Sequence, residues 1–205
     1  MLIARISLAF FWLATTILGL DVIKRKKSEG ISNFTGRTPS NIPRWGYVVI
    51  PIAMLSFLYL AALTILYIWL PAILTYFVFF TASLDTSMLE LLSYLGAGLT
   101  FIGTLIFVTA YFNLGSSIRL LMPREEERTK LITDGWYAHS RNPLYLGLHI
   151  AMIGWIFILP SLLTGLALVI FLVNQHFRIL VEEKFLEDRF GVEYREYKKQ
   201  VRRYF

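Results

Sequence analysis

Residues 146–180 read LGLHIAMIGWIFILPSLLTGLALVIFLVNQHFRIL, two apolar runs of helical length on either side of Pro160-Ser161. Proline lacks an amide donor and interrupts a helix, so the pattern predicts a helical hairpin, Leu146 to Leu159 and Leu162 to Leu180, turning at that pair. A membrane span takes roughly 20 apolar residues. Each limb is near the lower limit, which calls for tight packing against other helices. Working outward, Met88 to Phe112, Gly46 to Leu70 and Leu2 to Ile23 supply three further runs. The first is stopped by Asp21 and by Lys24-Arg25-Lys26-Lys27; it is too long, and lacks the small-residue cleavage site, for a removed signal peptide. Pro51 stands near the start of the second, where it is tolerated or makes a kink. Gly96 and Gly103 lie seven apart on one face of the third, which suits close helix packing. Pro71 to Leu84 is apolar but short, and a re-entrant hairpin, an interfacial helix and the end of a tilted helix compete for it. A non-spanning segment is favoured, because a full crossing would put the basic residues from Arg119 to Arg141 on the wrong side. The fold expected is all-α: a multi-pass transmembrane bundle of about five spanning helices with a C-terminal amphipathic helix.

Composition agrees. The 205 residues are 56% hydrophobic and 16% aromatic, and the mean hydropathy is +0.58; such a chain is too apolar for a soluble domain. The absence of cysteine excludes disulfides, thiolate metal sites, cysteine nucleophiles and palmitoyl or prenyl anchors on this chain. Three scattered histidines without His-Glu-x-x-His spacing give no reason to expect a metal. The net charge of +6 gathers at Lys24 to Arg44, Arg119 to Arg141 and Arg178 to Arg203. The segments around Asp85 and Pro160 carry no Lys or Arg. That alternation is the positive-inside pattern, with the N-terminus outside and the C-terminus cytoplasmic, and bilayer orientation explains it more simply than nucleic-acid binding.

Polar residues at membrane depth are costly and mark sites. Asn174, Arg178 and Glu182 fall four apart on one face of the last long helix, Gln175 lies beside that face, and Glu183 adds a second carboxylate at another azimuth. An Arg178–Glu182 ion pair at the water interface is the plain alternative. In Gly135-Trp136-Tyr137…Ser140-Arg141-Asn142-Pro143-Leu144-Tyr145-Leu146-Gly147, Pro143 biases Asn142 away from helix and leaves amides free to meet a ligand where the next helix begins. Arg141 can fork onto a carboxylate. Tyr137 and Tyr145 offer ring faces and hydroxyls, and His139 lies in the same loop. His149 and His176 read as buried hydrogen-bonding histidines rather than bases. Gly191 is expected to end the long helix. Beyond it Tyr194, Tyr197, Val201 and Tyr204 recur at helical spacing, opposite Arg195, Lys198, Lys199 and Arg202, as an amphipathic helix that lies on the membrane or caps the site.

The order Leu131-Ile132-Thr133-x-Gly135-x-Tyr137…Arg141-Asn142-Pro143-x-Tyr145-x-Gly147, a helical hairpin, then Glu182-Glu183-x-x-Leu186-x-x-x-Phe190-Gly191-x-x-Tyr194-x-x-Tyr197-x-x-x-Val201 closely resembles the isoprenylcysteine carboxyl methyltransferase family and is similar to the related phospholipid methyltransferases. It covers residues 113 to 205. The resemblance implies an integral membrane enzyme that uses S-adenosylmethionine in a pocket built by residues 113–205. Residues 1–112 would then form a transmembrane scaffold and the side from which a lipophilic substrate enters from the bilayer. It makes Gly135, Tyr137, His139, Arg141, Asn142, Pro143, Tyr145, Gly147, Glu182 and Glu183 cofactor-site candidates, with Arg141 and Glu182 the two expected to act in catalysis. It also implies a site facing the cytoplasm, in the inner membrane of a prokaryote or the endoplasmic reticulum of a eukaryote. Asn142 stands where the eukaryotic enzymes carry histidine, which keeps a hydrogen-bonding group but removes titration near neutral pH. Two other readings stay open. Membrane sterol reductases using NADPH end in a similar Arg-x-Pro-x-Tyr segment, and a non-catalytic lipid-binding protein would need none of this chemistry.

Overall fold

The computed structural model describes residues 2–28, 46–70, 85–114 and 130–204. Among these are six α-helices and one 3₁₀ turn: α1 (Leu2–Ser28), α2 (Gly46–Trp69), α3 (Thr86–Leu114), the turn Gly135–Ala138, α4 (Pro143–Ile158), α5 (Leu162–Phe190) and α6 (Val192–Gln200). No strand occurs among the described residues. The expected short segment Pro71 to Leu84 lies outside them.

The elements follow the apolar runs, with instructive differences at their ends. α1 continues past Asp21 to Ser28. Asp21 does not end it, because the Tyr111 hydroxyl donates to its Oδ2 at 2.6 Å and satisfies the charge inside the bundle. α2 runs through Pro51. The hairpin turns at Pro160-Ser161 as expected, and the Ser161 hydroxyl caps α5 by accepting from the Thr164 amide at 3.2 Å. α5, however, extends well beyond Leu180 to Phe190, where Gly191 in the left-handed region (φ +53°) ends it. The polar residues from Arg178 to Glu187 do not stop a helix whose polar face has partners.

Leu2–Lys24, Thr86–Leu114 and Leu162–Phe190 are long and apolar enough to cross a membrane by length and composition. α4 has 16 residues and rises only about 24 Å at about 1.5 Å per residue, short of a hydrocarbon core of about 30 Å. It is held by close packing instead. Gly154 of α4 meets Gly96 of α3, where a Cβ on either would come 2.5 Å from the other's carbonyl oxygen. One heptad along, Gly147 and Ala151 meet Gly103 in the same way. Thr100 Oγ1 between these pairs donates to the Ala151 carbonyl at 3.3 Å. Without a hydrophobic drive between helices in lipid, such small-residue contacts are what fix one helix on another.

α1, α2, α4 and α5 close around Phe11, Trp12, Phe57, Trp155 and Phe171, whose ring centroids lie 5.1 to 6.2 Å apart. Trp12 Nε1 donates to Thr64 Oγ1 at 3.0 Å, which satisfies its polar edge within this core. Outward, Ile6, Leu13, Leu55, Leu58, Ile102 and Val169 are exposed. An apolar shell of that kind suits lipid and would aggregate in water. The chain is an all-α, multi-pass helical membrane bundle.

Candidate functional site

The site begins where α3 ends. Gly135 adopts φ +58°, and a Cβ there would come 2.7 Å from the Asn113 side chain. Asn113 Oδ1 accepts from the Trp136 amide at 3.1 Å, and Trp136 Nε1 donates to Thr109 Oγ1 at 2.8 Å. These contacts pin the turn to the C-terminal end of α3 and deliver the chain into Ser140-Arg141-Asn142. Pro143 opens α4 with its fixed φ, and Asn142 before it is non-helical (φ −132°, ψ 52°), as its place before proline requires.

Two of the amides just before α4 are taken within the chain. The Arg141 amide donates to the Arg202 carbonyl at 2.9 Å, and the Asn142 amide to Ser140 Oγ at 3.2 Å. The C-terminal tail takes the first of these. It gets there because α6 packs back on the loop before the 3₁₀ turn and on the end of α5. Tyr194 and Tyr197 bury their rings against Leu131, Leu186 and Phe190, and the Tyr197 hydroxyl donates to the Tyr137 carbonyl at 2.6 Å. Burial pushes Tyr197 up to about 12, against the opposing pull of Arg141, so the hydroxyl keeps its proton at any physiological pH. The helix ends at Gln200, so Val201 and Tyr204 do not continue it as their spacing suggested. Residues 202 and 203 instead cross over Ser140 to Asn142. The Arg203 carbonyl accepts from Ser140 Oγ at 3.1 Å and from Asn142 Nδ2 at 3.3 Å.

Glu183, only 5% exposed, lies at the centre. Its Oε1 accepts from Asn142 Nδ2 at 3.1 Å and Arg203 Nε at 3.0 Å, and lies 3.3 Å from Arg141 Nη2. Its Oε2 accepts from Arg203 Nη2 at 2.8 Å. Two guanidinium groups and an amide thus share one buried carboxylate. The neighbouring Glu182 points elsewhere on α5 and accepts from the Tyr145 hydroxyl of α4 through Oε2 at 3.1 Å. Arg178, the partner suggested by spacing, is exposed, and its charge reaches Glu182 and Tyr145. One layer deeper, His176 Nδ1 and the Tyr204 hydroxyl are hydrogen-bonded at 3.0 Å, with His149 next to the Tyr204 ring.

Of the residues singled out from the sequence, the fold therefore joins Arg141, Asn142 and Glu183, and separately Tyr145 and Glu182. Pro143 sets the entry between them, and Tyr137 supplies a carbonyl to the cap. His139 is exposed at the end of the turn. Gly135 and Gly147 both face α3. Arg203 was not singled out, Ser140 only as part of the motif around Arg141, and Tyr204 only as a member of the tail helix. Arg203 is one of many basic residues in the tail, and the clue was indirect: a buried glutamate with one arginine still has an oxygen to satisfy.

Residues 91–193 match the family described as phospholipid methyltransferase. The chain belongs to the phospholipid methyltransferase family. It is 33% identical over 113 residues to protein-S-isoprenylcysteine O-methyltransferase B of Arabidopsis thaliana, covering 54% of this chain and 57% of that protein. It is 35% identical over 125 residues to protein-S-isoprenylcysteine O-methyltransferase of Saccharomyces cerevisiae, covering 60% of this chain and 51% of that one. An uncharacterized protein of Haemophilus influenzae is 44% identical over 62 residues, 30% of this chain and 98% of its own length. The chain spans about half the length of the two named relatives. The family segment starts in α3, earlier than the motifs suggested, as the α3–α4 glycine contacts make reasonable. It stops at Glu193, so Arg203 and Tyr204 lie beyond it.

In this member of the phospholipid methyltransferase family, a cleft of about 450 Å³ borders Glu183 and Arg203, with Lys184, Glu187, Asp188, Arg195 and Lys198 on its walls. Its lining has charge of both signs and no aromatic ring, which suits a watery approach to the site better than a seat for a base. No group of three or more His, Asp or Glu among the described residues could hold a metal. The side chains do fit a small zwitterion: Arg141 Nε is buried without a hydrogen-bond partner, and Glu182 keeps a carboxylate beside a tyrosine hydroxyl.

Proposed function

We propose that the chain is an integral membrane methyltransferase that uses S-adenosylmethionine and methylates a lipophilic acceptor, a carboxylate of an isoprenylcysteine-like molecule or another lipid nucleophile. The observation that carries the reading is the unequal state of the two adjacent glutamates. Glu183 is fully engaged by Arg141, Asn142 and Arg203, whereas Glu182 accepts one hydrogen bond, from Tyr145, with the charge of the exposed Arg178 within reach, and the Nε of Arg141 is left unpartnered. Family membership and the two isoprenylcysteine methyltransferase relatives support the same class.

S-adenosylmethionine would supply an electrophilic methyl group on a sulfonium. Glu182 would hold its ribose hydroxyls or ammonium, and Arg141 a carboxylate of cofactor or acceptor, by charge-assisted hydrogen bonds. Tyr145 orients Glu182. Asn142, fixed between Glu183 and the tail, holds Arg141 in register. A carboxylate acceptor needs no general base. An anion approaching a cation loses charge as it reacts, so the low-water surroundings contributed by the apolar helices favour the step. Orientation by these fixed groups can add several kcal/mol, since well-placed pairs reach effective molarities of about 10⁵ M or more.

The basic clusters support a site that faces the cytoplasm, and α1 and α2 would then lie on the side from which the acceptor enters. Incubating membranes that contain the protein with isotopically labelled methyl donor, followed by lipid mass spectrometry, tests this directly. A labelled lipid that disappears in Glu182→Ala and Arg141→Ala is the expected result; label incorporation unchanged in both variants overturns it. Thermal shift with S-adenosylhomocysteine but not with NADPH separates this reading from a reductase.

A further inference from the structure

The geometry points to Arg203 as a positioning residue for the cofactor site, a role that rests on the methyltransferase reading above. Arg203 acts through both its side chain and its backbone. Its guanidinium forks onto both oxygens of Glu183 at 3.0 and 2.8 Å. Its carbonyl accepts from Ser140 and Asn142 at 3.1 and 3.3 Å. The preceding residue takes the Arg141 amide at 2.9 Å, and the following one reaches His176 at 3.0 Å. Six hydrogen bonds from three consecutive residues thus tie the tail to the entry of α4 and to α5.

Charge explains why a second arginine is needed. Glu183 is buried, and Arg141 meets only its Oε1, at 3.3 Å. With Arg203 supplying the remaining donors, Glu183 holds Arg141 without drawing its whole guanidinium, and Nε stays unpartnered. Removing Arg203 leaves Arg141 as the only cation on that carboxylate. Arg141 should then turn further toward Glu183 and away from the ligand. The outcome expected is a specific loss of cofactor affinity rather than of turnover once cofactor is bound. Arg203 lies beyond Glu193, where the family segment ends, while Arg141, Asn142 and Glu183 lie within it.

The test uses the full-length protein in nanodiscs and compares Arg203→Gln, Arg203→Lys, Glu183→Gln and the double variant Glu183→Gln/Arg203→Gln. S-adenosylhomocysteine binding is the first readout, with the split between KM for the methyl donor and kcat as the second. Arg203→Gln should weaken binding at least tenfold and raise KM by a similar factor, with kcat within threefold of wild type. Arg203→Lys, which keeps the charge but cannot fork, should recover part of the loss. The double variant should bind no more weakly than Glu183→Gln alone, because both changes break one clasp. Binding within twofold of wild type in Arg203→Gln, or losses that multiply in the double variant, overturns the assignment. Should Arg203→Gln fail to fold, Arg203→Lys carries the test, with a threefold or greater loss expected and no loss overturning it. If the wild-type protein binds no S-adenosylhomocysteine, the methyltransferase reading falls, and hydrogen exchange judges the clasp alone. The Arg141 amide should then exchange at least tenfold faster in Arg203→Gln, and unchanged protection overturns the clasp.

Discussion

Adjacent glutamates on one helix are held about 100° apart by its 3.6-residue turn, so they meet different surroundings and should fail differently. Glu183 is an internal counter-ion. Replacing it by Gln leaves the buried Arg141 guanidinium, 9% exposed, beside a neutral amide, and breaking one partner of such a pair costs about 3 kcal/mol. Glu182→Gln keeps a hydrogen bond from Tyr145 and should change stability by less than about 1 kcal/mol. It removes the charge that a ligand hydroxyl or ammonium would meet, worth about 1.5–3 kcal/mol, or tenfold and more in affinity. Thermal melts and S-adenosylhomocysteine titrations of both variants in detergent should therefore separate them: Glu183→Gln less stable, Glu182→Gln as stable as wild type but weak in binding. Equal stability losses would show that the two carboxylates share one structural job. The pairing of Glu183 with Arg141 was within reach of the sequence, because Arg141 and Glu183 both lie in segments bounded by strong local signals. That of Glu183 with Arg203 was not, because nothing local marks which tail cation folds back.

At the scale of elements, the position of the site depends on one helix pair and one cap. The glycine spacing on α3 was legible as a packing face. Its complement, Gly147 and Gly154 with the same seven-residue spacing on α4, was not read as one, because Gly147 falls inside the motif that resembles a cofactor site. Gly103→Val would push a side chain into the Ala151 amide and the Gly147 carbonyl. Backbone cannot move aside as a side chain can, so a cost of about 3 kcal/mol, the upper end of overpacking, is expected. Gly98→Ala, with nothing within 4 Å of the added Cβ, should instead stabilise by about 0.5–1 kcal/mol. Melting temperatures of the two variants moving in the same direction would contradict this packing. The cap has its own signature in alkali. Tyr197 is harder to ionise in the fold, at about 12, than at the ordinary 10.0, so its contribution is intact below about pH 10 and fades as pH rises from about 10 to 12. Hydrogen exchange at α6 should accelerate over that window. In Tyr197→Phe, which has no proton to lose, that part of the pH dependence should be missing; an identical profile in both proteins would refute the link.

For the whole molecule, the apolar shell and the end-to-end charge asymmetry are read from composition alone, and that is why the bundle was legible before any contact was known. Hydropathy is a local property of a segment, and the bilayer acts on each segment separately. The clasp and the α3–α4 seam depend on residues far apart in sequence, such as Asn142 and Arg203, and no local pattern reports them. Orientation is of the first kind and makes the last prediction. Asp85, at the start of α3, and Gln200, at the end of α6, lie in regions of opposite charge character: none of the flanking positions near Asp85 is Lys or Arg, whereas Lys198, Lys199, Arg202 and Arg203 surround Gln200. The chain has no cysteine, so a single introduced thiol is the only one a maleimide can meet. In sealed cells or right-side-out vesicles, a membrane-impermeant maleimide should label Asp85→Cys and leave Gln200→Cys untouched until the membrane is opened. Inverted vesicles should give the opposite result. Labelling of Gln200→Cys from outside would reverse the bundle, put the Glu183 layer on the far side from the cell's methyl donor, and remove the basis for a cytoplasmic site.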